Sequence, residues 1–294
     1  GGLVALLLIE LVVLWPFPAG TPAPPGLVPS WRGAPGAVLH LPTRKRQIGN
    51  LAMYYQTAHG RPIVGGYIHR ELPGMDDYKR ALDAILAPTD TSEGADGPTP
   101  AEVRGLLAGL DIGHALAHRA FVNPAQFAAT QARLTAALGP AVADAGDALV
   151  FVVPAVAWAE GSLAAYDVGL DLAHVQVEPA AVRPGEAVTV TLEWRASARP
   201  AAPYTVFIHL LDARGERAAQ QDGQPLGGRW PTTLWAPGER LLDQHVLHVG
   251  AAVPPGVYDL GIGLYGPRAD ERAGVTGAHV RDGMAVVPGA VEVR

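Results

Sequence analysis

The residues best able to do chemistry are concentrated between Asn50 and Arg70, in NLAMYYQTAHGRPIVGGYIHR. Gln56, His59, Arg61, Tyr67, His69 and Arg70 gather polar and ionisable groups around one expected helix–turn–strand unit. Arginine and histidine side by side can give charge-assisted hydrogen bonds to a phosphate or a lipid-linked sugar. Gly65 and Gly66 would let a ligand or another backbone come close. The same residues admit a structural reading. In it Tyr54 and Tyr55 pack, the glycines accommodate a bulge and the charges are solvated.

Other candidate motifs fail on spacing or context. Gly261, Gly263 and Gly266 match a dinucleotide-binding fingerprint letter for letter, but that motif needs a helix behind it to face a pyrophosphate. Here Pro267 and a charged turn follow. His114 and His118 are four residues apart with Ala-Leu-Ala between them, so the Glu of a metalloprotease helix is missing. His245 and His248 are three apart, which sends them to opposite faces of a strand. No nucleophile–base pair can be named. The sequence therefore assigns no catalytic residue, no metal and no cofactor. An independent enzyme using His59, His69 or Arg70 is the weakest of the functional readings.

Composition narrows the classes. The chain has 294 residues, long enough for two domains, and no cysteine, which excludes disulfides, thiolate nucleophiles and Cys-based zinc sites. Its net charge of −6 and pI near 5.9 argue against nucleic acid as a partner.

The elements that must position these residues follow from periodicity. Leu3–Phe17 is almost wholly apolar and is expected to be the C-terminal part of a transmembrane helix (residues 1–17), contacting the lipid bilayer, with Trp15 and Phe17 at the interface. Residues 18–36 are rich in Pro and Gly and read as a linker. Residues 37–155 alternate strands and helices: strands at Val38–Leu41, Ile63–Ile68, Ile112–Val122 and Ala148–Val153, and helices at Ile48–His59, Met75–Leu86, Pro100–Leu110 and Pro124–Leu138. Gly60 should stop the first helix, while Thr99 and Asn123 should cap the last two. An α/β layered domain with some parallel pairing follows. Residues 156–172 read as a connector between two folding units.

Residues 173–294 change grammar. Val188, Val190, Leu192 and Trp194 alternate with Thr189, Thr191 and Glu193, the period of a half-buried strand. Further strands are expected at Ala173–Val177, Tyr204–Leu211, Leu241–Val249 and Val257–Tyr265, punctuated by Pro-Gly turns. Strands at this spacing without helices predict an immunoglobulin-like β-sandwich. Trp194, Phe207 and Trp235 are expected to pack its core rather than form a sugar platform. The fold class is α+β multidomain.

MYYQTAHGRPIVGGYIHR, with the later VEPAAVRPGEAVTVTLEW, YTVFIHLLDARGE, DGQPLGGRWPTTLWAPGE and VPPGVYDLGIGLYGP, resembles the C-terminal extracytoplasmic part of bacterial multi-spanning membrane proteins of the glycosyltransferase family 39-like type. The resemblance covers most of residues 38–270. It implies a parent that transfers a sugar from a polyprenyl-phosphate donor, with the acidic catalytic residue upstream of this chain; Glu10 does not match it. It also implies a location at the cell membrane with the soluble domains outside. Arg44-Lys45-Arg46 would by charge favour the cytoplasmic side, but lies too far from the apolar end for that rule. The expected partners are the upstream membrane domain of the same protein and a glycan or lipid-linked sugar. The expected role is non-catalytic, in acceptor positioning or structural support. The alternative is a non-enzymatic envelope or cell-surface module that binds polysaccharide or acts as a spacer.

Overall fold

The computed structural model describes residues 35–64, 74–88, 97–268 and 271–294. The expected membrane segment and most of the linker lie outside these residues. Among the described residues no helix is long and apolar enough to cross a membrane.

The first part of the chain runs β1 (Ala37–Leu41), α1 (Arg46–His59), β2 (Ile63–Val64), α2 (Met75–Leu86), α3 (Pro100–Gly109), β3 (Ile112–His118), α4 (Pro124–Leu138), β4 (Ala143–Asp144) and β5 (Ala148–Val152). Its five strands form one mixed sheet in the order β2-β1-β3-β5-β4. β1 pairs in parallel with both β2 and β3, and β5 is antiparallel to β3 and β4. The chain thus leaves β1 to one side through α1, then returns to its other side through α2 and α3. Leu39 and Leu41 of β1 and Ala115 and Ala117 of β3 point into the main core with Leu82, Ile85, Leu106 and Leu134 of α2, α3 and α4. Val38 and Leu116 point the other way, toward Tyr55 of α1.

The helix ends follow the sequence signals. Gly60 sits at φ 67° and its N–H reaches the Gln56 carbonyl at 2.8 Å, which closes α1. Thr99 accepts from the Glu102 N–H, and Glu102 bonds back to the Thr99 N–H, a complete capping box for α3. Asn123 caps α4 with Pro124 behind it. The strand expected over 112–122 stops at His118, because Phe121 takes a positive φ of 68° that no strand accommodates.

The rest is β-rich: β6 (Ala164–Tyr166), β7 (Leu170–Glu178), β8 (Ala181–Val182), β9 (Ala187–Ala196), β10 (Thr205–Leu211), β11 (Arg217–Gly223), β12 (Arg240–His248), β13 (Gly256–Tyr265), β14 (Val275–Gly277), β15 (Val280–Arg281) and β16 (Met284–Val293). β6 and the first residues of β7 fall in the stretch 156–172 expected as a connector. One sheet has the order β12-β9-β7-β6-β14, the other β11-β10-β13-β16-β15 with β8 beside β16. Val188, Val190, Leu192 and Trp194 from the first meet Val206, Ile208, Leu210, Leu260, Ile262 and Leu264 from the second in one apolar layer. The Tyr166 hydroxyl crosses that layer to donate to the Ile262 carbonyl at 2.9 Å. This is a β-sandwich, and the whole chain is a mixed α+β protein with four α-helices among the described residues.

Trp194 and Trp235 pack in the main core, as expected. Phe207 is buried as expected, but in a layer of its own. As an odd-numbered residue of β10 it faces away from Val206 and Ile208, into a separate cluster with Leu211 and Met284. The Arg272 guanidinium caps its ring at 4.9 Å. A Cβ on Gly263 of β13 would overlap that ring, so the fingerprint glycine is a seat for Phe207.

The two parts meet closely. A Cβ on Gly105 of α3 would stand 2.9 Å from the Leu242 side chain of β12, and one on Gly109 would overlap the Arg240 carbonyl. Glycine at both places lets α3 press onto β12. Gln244 of β12 then donates its N–H to Glu102 at 2.8 Å and accepts from the Thr99 hydroxyl at 2.8 Å. Tyr78 of α2 meets Trp230 edge-on at 5.0 Å.

Candidate functional site

The sheet face beneath α1 carries the ionisable groups. Alternation along β1 puts His40 on the face of Val38, and along β3 it puts His114 and His118 on the face of Leu116. α1 lies over this face because Ile48, Ala52 and Tyr55, spaced four and three apart, form its buried side.

Of the six expected site residues, Gln56, His59 and Arg61 come together, whereas Tyr67, His69 and Arg70 lie outside the described residues. The Gln56 amide donates to the Arg61 carbonyl at 3.1 Å. The Arg61 N–H donates to His59 Nδ1 at 3.0 Å, which places the His59 proton on Nε2. The Arg61 side chain runs back under the helix. Its Nη1 donates to His114 Nδ1 at 2.7 Å, and because arginine can only donate, His114 must accept there. Its Nη2 donates to the carbonyls of Pro35 and Gly36. His59 and Arg61 are buried, so the reading in which these charges are solvated does not hold for them.

Arg61 therefore clamps the chain where it enters β1. The adjoining backbone is fitted around it. Ala37 donates to the Asp111 carbonyl at 2.6 Å. A Cβ on Gly113 of β3 would lie 2.7 Å from Arg61 Nη2 and overlap the Pro35 carbonyl.

Sequence reasoning missed the second half of the cluster. His40 Nδ1 and His118 Nε2 share a hydrogen bond of 3.0 Å across 78 residues of chain. Tyr55 lies nearly parallel to both rings, with centroids 5.8 and 6.3 Å away. Its hydroxyl donates to Asp147 at 2.8 Å, tying α1 to the β4–β5 hairpin. The signal was present in HLP and HALAH as histidines of one strand face, but only the strand order reveals that β1 and β3 are neighbours.

Burial lowers the His114 pKa to about 4, with Arg61 and His59 adding to the effect. Burial also brings His118 to about 4 against a smaller upward pull from Asp147. His40 falls well below its usual value, through burial first and then His118 and His59. His59 is lowered by burial and by Arg61. At neutral pH all four rings are uncharged. Burial and the Asp147 bond raise the Tyr55 phenol. Among the described residues no group of three or more His, Cys, Asp or Glu side chains is arranged to hold a metal. What the arrangement does is fasten α1, the turn after it and residues 35–36 to the sheet.

No protein family and no curated protein matches this sequence. Among solved structures the chain is similar to the C-terminal domain of wzt, at 9% identity and a TM-score of 0.32, over 47% of this chain and 80% of that one. It is similar to a glycosyl hydrolase family 2 member from Bacteroides cellulosilyticus, at 9% identity and 0.26, over 48% and 16%. It is also similar to a Niemann-Pick type C2 protein from Japanese carpenter ant, at 7% identity and 0.25, over 47% and 100%. Likenesses this weak carry no argument about what this chain does.

Proposed function

We propose that this chain is the non-catalytic, extracytoplasmic C-terminal portion of a membrane glycosyltransferase that uses a polyprenyl-phosphate-linked sugar, and that it serves acceptor positioning or structural support. On this reading residues 1–17 end a transmembrane helix and the sandwich is an immunoglobulin-like accessory module. The observation that carries the supporting role is the Arg61 clamp. Among the described residues of the chemistry-rich segment, Gln56 donates to the Arg61 carbonyl, and Arg61 donates to His114 and to the carbonyls of Pro35 and Gly36. Those carbonyls belong to the stretch that would descend from the membrane. Holding it rigidly against β1 would fix the direction in which both soluble parts project. Among the described residues the one hydroxyl against the buried histidine pair, that of Tyr55, is engaged with Asp147.

The test assays the 294-residue chain beside its full-length parent with polyprenyl-phosphate sugars and candidate acceptors. The expected result is transfer by the parent and none by the chain. Turnover by the chain above a boiled control contradicts the non-catalytic role. A parent with no membrane spans upstream contradicts the glycosyltransferase assignment.

A further inference from the structure

The His40–His118 pair sits under a helix that the main core does not hold. Tyr55 of α1 belongs to a small apolar cluster with Val38, Leu116, Ala148 and Val150, separate from the core that joins the other three helices to the sandwich. Elements fastened by few apolar contacts open locally without global unfolding. Opening of α1 from the sheet need not breach that core.

The pair makes that opening sensitive to protons. Both rings are almost completely buried. In the neutral pair one ring donates to the other, so of the two outer nitrogens one carries a hydrogen and the other a lone pair. Neither His40 Nε2 nor His118 Nδ1 has a partner among the described residues. One added proton turns both into N–H donors and places a cation between the sheet and α1. Its surroundings disfavour that charge. From β3 His114 shares the face, from α1 Tyr54, Tyr55 and His59, and under the helix Arg61 brings a permanent positive charge. The β4–β5 hairpin brings Asp147, whose charge favours the protonated ring but is outweighed by burial and one of whose oxygens is bonded to Tyr55, and Asp144, already bonded to Arg119. Asp111 faces Arg61.

We infer that the His40–His118 pair is an acid-operated latch that releases α1, and with it the Arg61 clamp on residues 35–36. Protonation is unfavourable while α1 covers the pair and becomes favourable once water reaches it, so acid drives the open state. The lowered pKa values of both rings agree with this direction.

Hydrogen–deuterium exchange of the whole chain tests it. Corrected for intrinsic rates, amides of 46–59 should exchange at least tenfold faster at pH 4.5 than at pH 6.5, while β9 and β13 stay protected. The double variant His40→Leu, His118→Leu keeps the volume and removes the proton site, and should lose this acid response. An unchanged response in that variant, or equal acceleration in the sandwich, would overturn the inference. If the variant does not fold, the two histidine ring signals of the unmodified chain are followed by NMR. Coupled titration below pH 5 together with loss of α1 protection supports the latch. Titration of either ring near pH 6.5 with α1 still protected refutes it.

Discussion

Two buried histidine sites, one on each side of the seam between α3 and β12, have their pKa values driven in opposite directions. Under α1, His40 and His118 pair with each other, and burial keeps both neutral. In the sandwich, His245 Nε2 meets Asp243 at 2.8 Å. Burial alone would lower its pKa as well, but the charge and hydrogen bond of Asp243, with Glu102 and Asp222 beyond, raise it above the usual value. Both sites exclude water to a similar degree. The difference is the bonded partner: another imidazole cannot offset the cost of a buried charge, whereas a carboxylate at hydrogen-bond distance can.

Asp243 is the group on which the His245 site most depends. Asp243→Ala should cost about 3–5 kcal/mol by denaturant unfolding, because it removes the buried carboxylate that bonds His245 at 2.8 Å and accepts the Leu226 N–H at 3.0 Å. A cost below about 1 kcal/mol would mean that His245 is neutral.

The pH profile should then run in opposite directions at the two sites. The His118 pKa is depressed to about 4 from 6.5, so its contribution is present above pH 6.5 and is lost as pH falls from 6.5 through about 4. That loss amounts to about 3 kcal/mol for this ring. The His245 pKa is raised, so its contribution is fully present below pH 6.5 and is lost as pH rises through its higher folded value. Unfolding curves of His118→Leu and His245→Leu across pH 4–8 should each flatten one limb only. Loss of the same limb in both variants would show that the two sites do not differ.

Gly113→Ala probes the crowding around the clamp. The new methyl would push against the Pro35 carbonyl and Arg61 Nη2, at a cost of about 1–3 kcal/mol. The smallest effect is expected at Arg119. Its bidentate pair with Asp144 holds the same hairpin that carries Asp147, but in solvent. Arg119→Ala should move the melting temperature less than any of the buried changes. A larger shift would mean that the hairpin, and not burial, controls the cluster.

How much of this was legible in the sequence depends on how local each signal is. The caps at Gly60, Thr99 and Asn123 and the alternation of β9 need only a few neighbouring residues, and they stand in the structure where the sequence puts them. β11, RAAQQDG, has no apolar alternation because it is an edge strand with little of either face buried, so it escapes a hydrophobic pattern. β16, MAVVPGAVEV, is hidden by its own Pro and Gly, which coincide with an irregular register opposite Tyr258 and Leu260. Gln56, His59 and Arg61 stood out as a polar concentration, but their direction did not. Arg61 turns inward because β1 and β3 place the Pro35 and Gly36 carbonyls and His114 beneath it. The meeting of His40 with His118 depends on the order β2-β1-β3, which no local pattern encodes.

The described part of the chemistry-rich segment, Gln56 to Arg61, works as a fastening. That role is tested most directly by the thermal melting of Arg61→Ala in the 294-residue chain. Losing this side chain removes the donor that holds the Pro35 and Gly36 carbonyls and leaves buried His114 Nδ1 unsatisfied, at about 1–3 kcal/mol for that buried acceptor. The expected melting temperature is several degrees lower. A melting temperature equal to that of the unmodified chain would contradict it.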